Sequence, residues 1–213
     1  MGLREYLKEC GTPYNLPSIA GQYAGKKVVV CADAQCVWDD LERFGCRSDR
    51  VRGKVEKDGW DFLTVNHLVS TFPGNIEHAY SNGPVFLKKC IAARREEYAR
   101  EFSGPKHIHS HSPGATFVWP FGGHGSSGLG ACLVAISLGY DRVVICGMPL
   151  DDGPHNGEPH WRRTAFQTSE VAGGQRTARN AHWWKAKQFA FDDKVRSMSG
   201  RTREWLGDAM AWS

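Results

Sequence analysis

The sequence lacks the long apolar run that a membrane-spanning helix needs. Apolar stretches such as VVVCA and VVIC are far shorter than the run of about 20 predominantly apolar residues that a helix needs to cross a bilayer. The N-terminal stretch MGLREYLKECG carries charges at the position where a secretory signal has its apolar segment. We therefore expect a cytoplasmic protein with no membrane among its partners.

Sequence motifs of disulfide frameworks and zinc knuckles are also missing. The chain has seven cysteines, an odd number, and no two of them are spaced as C-x-x-C. Cys31, Cys132 and Cys146 lie inside apolar segments, which is typical of reduced thiols that fill a core as small hydrophobic side chains. With 41% hydrophobic residues, 23% charged residues and a net charge of +4, the composition is that of an ordinary globular protein and does not favour a polyanionic partner.

Two common nucleotide-binding signatures are absent from the places where they would be expected. The chain has no Gly-Lys-Ser/Thr sequence, which excludes ordinary P-loop phosphoryl transfer. The loop CADAQC, which follows the first predicted strand, has no G-x-G-x-x-G, so this loop does not predict NAD or FAD binding. A plain connection between a strand and a helix is the simpler interpretation of this loop.

What the sequence does contain is an alternation of short apolar strands and amphipathic helices. Predicted strands are VVVCA, DFLTVNHLV, IEHAYS, KHIHSHS, ATFVWP, RVVICG and KVRSMSG, and four helical segments lie between them. This alternation predicts an α/β fold with a mostly parallel Rossmann-like sheet and helices on both faces. We expect a single domain over residues 1–213, with residues 1–23 as an N-terminal arm.

Parallel sheets bind ligands beyond the carboxyl ends of their strands. In this chain the rule selects the loops at 33–36, 66–67, 81–82 and 148–160, and it places the turn GGHGSSG on the same side. Glycines in that turn allow a ligand to approach the backbone, and the following helix offers free N–H groups to an anion. A tight turn with a serine N-cap that holds no ligand is an equally weighted alternative.

Three further segments contain residues that could bind a ligand or a metal ion or take part in catalysis. The loop MPLDDGPHNGEPHW contains acids and histidines that could bind a divalent cation or act as a general base, although plain polar loop is the more common interpretation. HIHSHS places His107, His109 and His111 on one strand face, and we favour an exposed face over a zinc site. QRTARNAHWWKAK mixes basic and aromatic residues, which suits either a nucleotide-binding surface or a helix that buries one tryptophan.

The segment SGLGACLVAISLGYDRVVICGMPLDD resembles the signature of a Rossmann-like superfamily. That superfamily includes the bacterial family 42 sialyltransferases and the archaeal-type 6-hydroxymethylpterin diphosphokinase-like proteins, many of them phage-encoded. GKKVVVCADAQC, TVNH and SMSGRTREWLG follow in the order of the first strand, a nucleotide-facing Asn and the last strand of these families. The resemblance covers most of residues 24–207 and implies a phage-encoded member, in host cytoplasm, although the first loop lacks the families' Gly-x-Gly-Pro-Ser.

The resemblance implies a nucleotide site and a general base. Together with the loops selected above, it gives as nucleotide-binding residues Asp33, Ala34, Gln35, Asn66, Ser81, Asn82, Gly125, Ser126, Ser127, Gly128 and Met148. His182 takes the place of the sialyltransferase general base, with His155 or Asp152 as second choices. Asp151 and Asp152 would hold Mg²⁺ if a metal is used.

The function predicted first is a nucleotide-sugar-dependent glycosyltransferase that transfers a sugar to an acceptor hydroxyl. The alternatives are an ATP-dependent pyrophosphokinase of the hydroxymethylpterin type, and a non-catalytic phage accessory protein that binds nucleotides or DNA. A nucleotide-sugar donor is the expected partner, and no cofactor is certain. Hydroxylated bases of modified DNA and a surface polysaccharide are candidate acceptors. Eight tryptophans in a small chain are compatible with a homodimer.

Overall fold

The structure is a computed structural model that describes residues 3–12, 15–46, 54–98, 101–121, 126–150 and 181–213. Its strands are β1 (Lys27–Cys31), β2 (Trp60–Val65), β3 (His78–Tyr80), β4 (His107–Ser110), β5 (Phe117–Val118), β6 (Arg142–Cys146) and β7 (Val195–Ser197). The helices are α1 (Leu3–Glu9), α2 (Val37–Arg43), α3 (Leu68–Thr71), α4 (Pro84–Tyr98), α5 (Ser127–Leu138), α6 (181–186) and α7 (Gly200–Leu206).

The strands form one sheet in the order β5-β4-β3-β2-β1-β6-β7, and every neighbouring pair is parallel. The chain runs outward from β1 to β5 and then returns to the other side of β1, so the direction of winding changes between β1 and β6. The prediction of a mostly parallel α/β sheet is therefore confirmed. Because the sheet is parallel, the loops after β1, β2 and β3 lie at one edge, the carboxyl edge.

Alternate residues of the central strands are buried on opposite faces of the sheet. Val28 and Val30 of β1 pack in the cluster that contains α5, whereas Val29 and Cys31 pack in the cluster that contains α2. This is the period-two pattern of a strand covered on both sides, which explains why VVVCA is apolar throughout. All seven cysteines are free thiols, and five of them are buried.

The segment predicted as an N-terminal arm packs on the α5 face of the sheet. Tyr6 and Leu7 of α1 are fully buried in that cluster. Further along, the backbone N–H groups of Gly21 and Tyr23 donate to carbonyls at the C-terminal end of α5. These contacts cover the apolar surface of α5 that faces away from the sheet.

A chain of hydrogen bonds runs through the core from β5 to the amino end of β2. The indole N–H of Trp119 donates to Nδ1 of His109 (2.9 Å), and Nε2 of His109 lies 3.0 Å from Nδ1 of His78. Nε2 of His78 lies 2.9 Å from the Tyr140 hydroxyl, which donates to Asp61 over 2.8 Å. Because an indole N–H only donates, it fixes the tautomer of each histidine in turn, and every bond points toward the carboxylate. We call these five residues the histidine chain.

The histidine chain corrects the interpretation of HIHSHS. We expected an exposed strand face, but His109 is fully buried because β4 lies between β3 and β5. Both of its ring nitrogens are already hydrogen-bonded, which leaves neither for zinc. Burial, followed by the nearby histidines, lowers the pKa of His109 to about 2, so its ring is neutral. His111 lies beyond the end of β4.

The C-terminal helix prediction is confirmed in part. Residues 181–186 are α-helical, but Lys187–Phe191 form a π-helical turn and Asp192–Lys194 a 3-10 turn before β7 begins. The wider π turn buries two consecutive residues, Ala190 and Phe191, in the core. Across the parts of the chain that the structure describes, no helix has the length and apolar character needed to span a membrane.

Candidate functional site

The register of the sheet brings three polar residues into one row at the carboxyl edge. Cys31 pairs with Thr64, and Thr64 pairs with Ala79, so these residues form the last paired row across β1, β2 and β3. Two positions further along each strand, and therefore above the same face, come Asp33, Asn66 and Ser81. Asp33, Asn66 and Ser81 therefore lie where the buried strands end, at the boundary between the core and a candidate binding surface.

These residues line a cavity of about 250 Å³ at the carboxyl edge. The lining residues come from the ends of three strands and the starts of three helices: Asp33, Asn66, His67, Ser81, Asn82, Gly83, Phe86 and Ser127. Small-molecule sites usually have volumes of about 300–1,000 Å³. The described part of the cavity therefore suits one portion of a nucleotide, such as its base and ribose.

Asn66 is held in an unusual conformation by its neighbours in the cavity wall. Its φ of 54° lies in the left-handed region, which asparagine tolerates better than most residues. The backbone N–H of Asn66 donates to the carbonyl of Tyr80, and the Ser81 hydroxyl donates to its side-chain Oδ1 over 2.9 Å. Ser81 in turn accepts the N–H of Gly83, so the direction of its hydroxyl proton is fixed.

The side chain of Asn82 is held in a similar way, by the last residue of β3. The Tyr80 hydroxyl donates to Oδ1 of Asn82 over 3.0 Å, and the Tyr80 ring is fully buried against α5. Gly130 makes this possible, because a Cβ at position 130 would lie 2.3 Å from the Tyr80 hydroxyl. The small residues of α5 that form part of the sequence signature thus allow close approach to the strand that carries the cavity wall.

The N-terminal ends of two helices face the cavity. Ser126 caps α5, and its hydroxyl accepts the N–H of Leu129, while Ser127 begins the helix and lines the cavity. Gly83 directly precedes α4, whose first turn contributes Phe86. No lysine or arginine is among the described lining residues, so the helix N-termini are the groups there that favour an anion.

One wall of the cavity is aromatic. The rings of His67 and Phe86 meet edge to face, with centroids 4.5 Å apart and planes at 86°. Behind them the Cys90 thiol lies 4.0 Å from Nδ1 of His67. Burial, followed by the negative charge of Asp33, raises the pKa of the Cys90 thiol, which therefore stays protonated rather than becoming a nucleophile.

The cavity brings together five of the residues predicted to bind a nucleotide: Asp33, Asn66, Ser81, Asn82 and Ser127. Five others do not line it: Ser126 caps α5, and the other four are Ala34, Gln35, Gly128 and Met148. The backbone N–H of Ala34 donates to the Gly147 carbonyl, Gln35 is exposed, and Gly128 packs directly on the buried sulfur of Met148.

The remaining predicted site residues either lie outside the described residues or do not line the cavity. Gly125, Asp151, Asp152 and His155 lie outside the described residues. His182 is half-buried in the first described turn of α6. It does not line the cavity.

Sequence reasoning missed three lining residues and one signal. His67 was noted only as part of a loop. Gly83 and Phe86 were not considered, although the predicted helix start at Pro84, just after a strand, places both near the carboxyl edge. Residues 123–128 have the spacing G-x-G-x-x-G, which runs into the first turn of α5, a pattern that favours phosphate binding at a helix N-terminus.

The described residues do not form a metal site. Among those residues, no group of three or more His, Cys, Asp or Glu side chains is arranged to hold a cation. The carboxylates predicted to bind Mg²⁺, Asp151 and Asp152, fall outside the ranges.

The fold is similar to that of a known enzyme. Two solved structures of the sialyltransferase CstII from Campylobacter jejuni superpose on it with TM-scores of 0.54 and 0.50, at 11% and 14% identity. The first covers 87% of this chain and 86% of CstII, and the second covers 86% of each. One CstII structure contains cytidine-5'-monophosphate and the other the substrate analogue CMP-3FNeuAc. No protein-family profile matches the sequence, and no curated protein matches it. At this identity the likeness establishes a sialyltransferase-like α/β fold.

Proposed function

We propose that this protein is a glycosyltransferase that uses a nucleotide sugar, with a CMP-linked sugar as the donor class to test first. The observation that carries the proposal is the cavity at the carboxyl edge, where two asparagine amides and the N-terminus of α5 meet in a sialyltransferase-like fold. The complexes of CstII with CMP and a CMP-sugar analogue support this choice of nucleotide.

The polarity of the cavity suits a nucleoside monophosphate unit. Asn66 and Asn82 offer amide hydrogen bonds to a base or ribose, Asp33 offers an acceptor to a ribose hydroxyl or an exocyclic amine, and Phe86 offers an apolar surface. The phosphate would lie on the N-terminus of α5 near Ser127, where backbone N–H groups replace the lysine or arginine that the described lining does not contain.

The proposed reaction is a substitution at the anomeric carbon of the donor sugar. The acceptor hydroxyl forms the new C–O bond as the bond between the anomeric carbon and the phosphate oxygen breaks, and the nucleoside monophosphate leaves with the electron pair. His182 is the proposed general base that takes the acceptor proton, with His155 or Asp152 as alternatives. The α5 N-terminus stabilises the negative charge that develops on the departing phosphate.

Incubation with CMP-, UDP- and GDP-linked sugars tests this proposal directly. Release of free nucleotide and transfer of sugar to added hydroxyl acceptors are measured with and without Mg²⁺. We expect turnover of one donor class, and we expect His182→Ala to retain nucleotide binding while losing most transfer. Asn75→Ala, which changes an exposed residue that does not line the cavity and is not a predicted site residue, is the matched control.

Other outcomes would redirect the assignment. Turnover of ATP only in the presence of Mg²⁺, with pyrophosphoryl transfer to a hydroxymethylpterin, would replace the glycosyltransferase by the pyrophosphokinase. Absence of turnover with every donor, together with salt-dependent retention on DNA, would replace it by a non-catalytic accessory function. Unchanged transfer in His182→Ala would remove that residue from the mechanism without affecting the donor assignment.

A further inference from the structure

The side-chain amides of Asn66 and Asn82 are each hydrogen-bonded to a hydroxyl group that does not itself need to touch a ligand. In each, the side-chain oxygen accepts a hydrogen bond from a hydroxyl at the carboxyl end of β3: Asn66 from Ser81 at 2.9 Å, and Asn82 from Tyr80 at 3.0 Å. Among the residues that the structure describes, neither amide nitrogen has a hydrogen-bond partner, and both residues line the cavity. An amide whose oxygen accepts a hydroxyl proton is held against flipping, so its N–H groups stay available to a ligand.

We propose that Tyr80 and Ser81 are positioning residues that orient the amides of Asn82 and Asn66, so that the cavity presents hydrogen-bond donors along the ends of β2 and β3. The ligand must then place acceptors, such as carbonyl oxygens or unprotonated ring nitrogens, against this wall. The selectivity for such a ligand rests on the proposed nucleotide-binding function, whereas the orientation of the amides is a property of the free protein.

Both hydroxyls are held so that they donate. The Ser81 oxygen already accepts the Gly83 N–H at 3.2 Å, so its proton is available for Asn66. Tyr80 is fully buried, and burial raises the pKa of its phenol well above the ordinary value, so the phenol keeps the proton that it donates. The ring cannot move toward α5, because it already packs directly against the Cα of Gly130.

The first test needs no ligand. Side-chain amide signals of the free protein are recorded by ¹H–¹⁵N correlation spectroscopy, and those of Asn82 and Asn66 are assigned from the signals lost in Asn82→Ala and Asn66→Ala. We expect Tyr80→Phe to shift the Asn82 pair and Ser81→Ala to shift the Asn66 pair, while the exposed Asn75 pair stays in place. Unmoved signals for Asn82 and Asn66 in these variants would overturn the proposal, and the same spectra show whether each variant is folded.

The second test is a double-mutant cycle on CMP affinity. Loss of one neutral hydrogen bond should weaken binding roughly two- to tenfold in Tyr80→Phe. The same change should have no further effect in an Asn82→Ala background, because Tyr80 acts through that amide. Tyr23→Phe, which removes a hydroxyl bonded to Glu77 outside the cavity, is the matched control. An equal loss in both backgrounds would overturn the positioning role.

Asn82→Asp tests the polarity of the wall. It replaces the N–H donor by a carboxylate oxygen of the same size, so CMP should bind more weakly to Asn82→Asp than to Asn82→Ala. Binding as tight as in the wild type would overturn the donor assignment. If the wild-type protein binds no nucleotide while the amide signals shift as expected, the positioning role stands and the proposed function fails.

Discussion

Lowering the pH should destabilise this protein through the two histidines in its core. His78 and His109 are fully buried and neutral, and burial lowers their pKa values to about 3 and about 2. For His78 the positive charges of His107, Lys26 and Lys106 add to this effect. In the unfolded chain each imidazole has a pKa of about 6.5 and binds a proton readily.

The direction and size of the effect follow from this difference. Below about pH 6.5 the unfolded chain binds protons that the folded protein does not, so stability is fully present above that pH and is lost as the pH falls toward the folded pKa values. Each histidine contributes a limiting slope of about 1.4 kcal/mol per pH unit, which amounts to about 2 kcal/mol per histidine between about pH 7.5 and pH 5. The pair should therefore cost about 4 kcal/mol, against a typical domain stability of about 5–15 kcal/mol.

The assay is urea unfolding at several pH values across this interval. Asp40 opposes the trend, because burial raises the pKa of its carboxyl, so the wild-type slope is compared with that of His109→Gln. The variant should lose about half of the pH dependence. Tyr140→Phe is the control: it removes a hydroxyl of the histidine chain and lowers stability at all pH values, but it should keep most of the slope. Equal slopes for the wild type and His109→Gln would refute the reasoning.

Five further substitutions have expected effects, which urea unfolding checks for stability and a CMP titration checks for the affinity of Ser127→Ala. Gly130→Ala should cost about 1–3 kcal/mol, because the added methyl overlaps the tyrosine packed on α5; full stability would contradict the close contact. Ser126→Ala should cost about 0.5–2 kcal/mol through loss of the α5 cap, whereas Ser127→Ala should lower CMP affinity and spare stability. Asp40→Ala should cost about 2–3 kcal/mol, because two donors lose their buried acceptor, while exposed Asp39→Ala should stay within about 0.5 kcal/mol.

Much of the fold could be predicted from the sequence because local pattern and tertiary environment agree. VVVCA is apolar at every position because β1 is covered on both faces, and α5 begins at Ser127 and ends at Leu138, one residue before Gly139, as its cap and stop signals predict. The short strand β5, with only two residues, lies within the predicted strand ATFVWP. The order of the strands in the sheet was not predicted, because the alternation of strands and helices does not show which strands are neighbours.

The candidate site was predictable in part. Asp33, Asn66 and Ser81 could be found because the residues after parallel strands must meet at one edge. Tyr80 could not be found from the sequence, because its role depends on a contact with Gly130, which lies far away along the chain. The burial of His109 was missed for a related reason: a polar residue in a strand predicts exposure unless its partners, here Trp119 and His78, are known.

The central claim is that the carboxyl-edge cavity binds a nucleotide, and a thermal-shift titration with CMP tests it most directly. CMP at about 100 times its dissociation constant should stabilise the folded protein by about 2.7 kcal/mol without added metal. Asn66→Ala, which removes an amide from the cavity wall, should reduce that stabilisation, and Asn75→Ala, which removes an exposed amide outside the cavity, should not. Stabilisation that is equal in the wild type and in Asn66→Ala, or absent with CMP, UDP, GDP, ADP and ATP alike, would contradict the account.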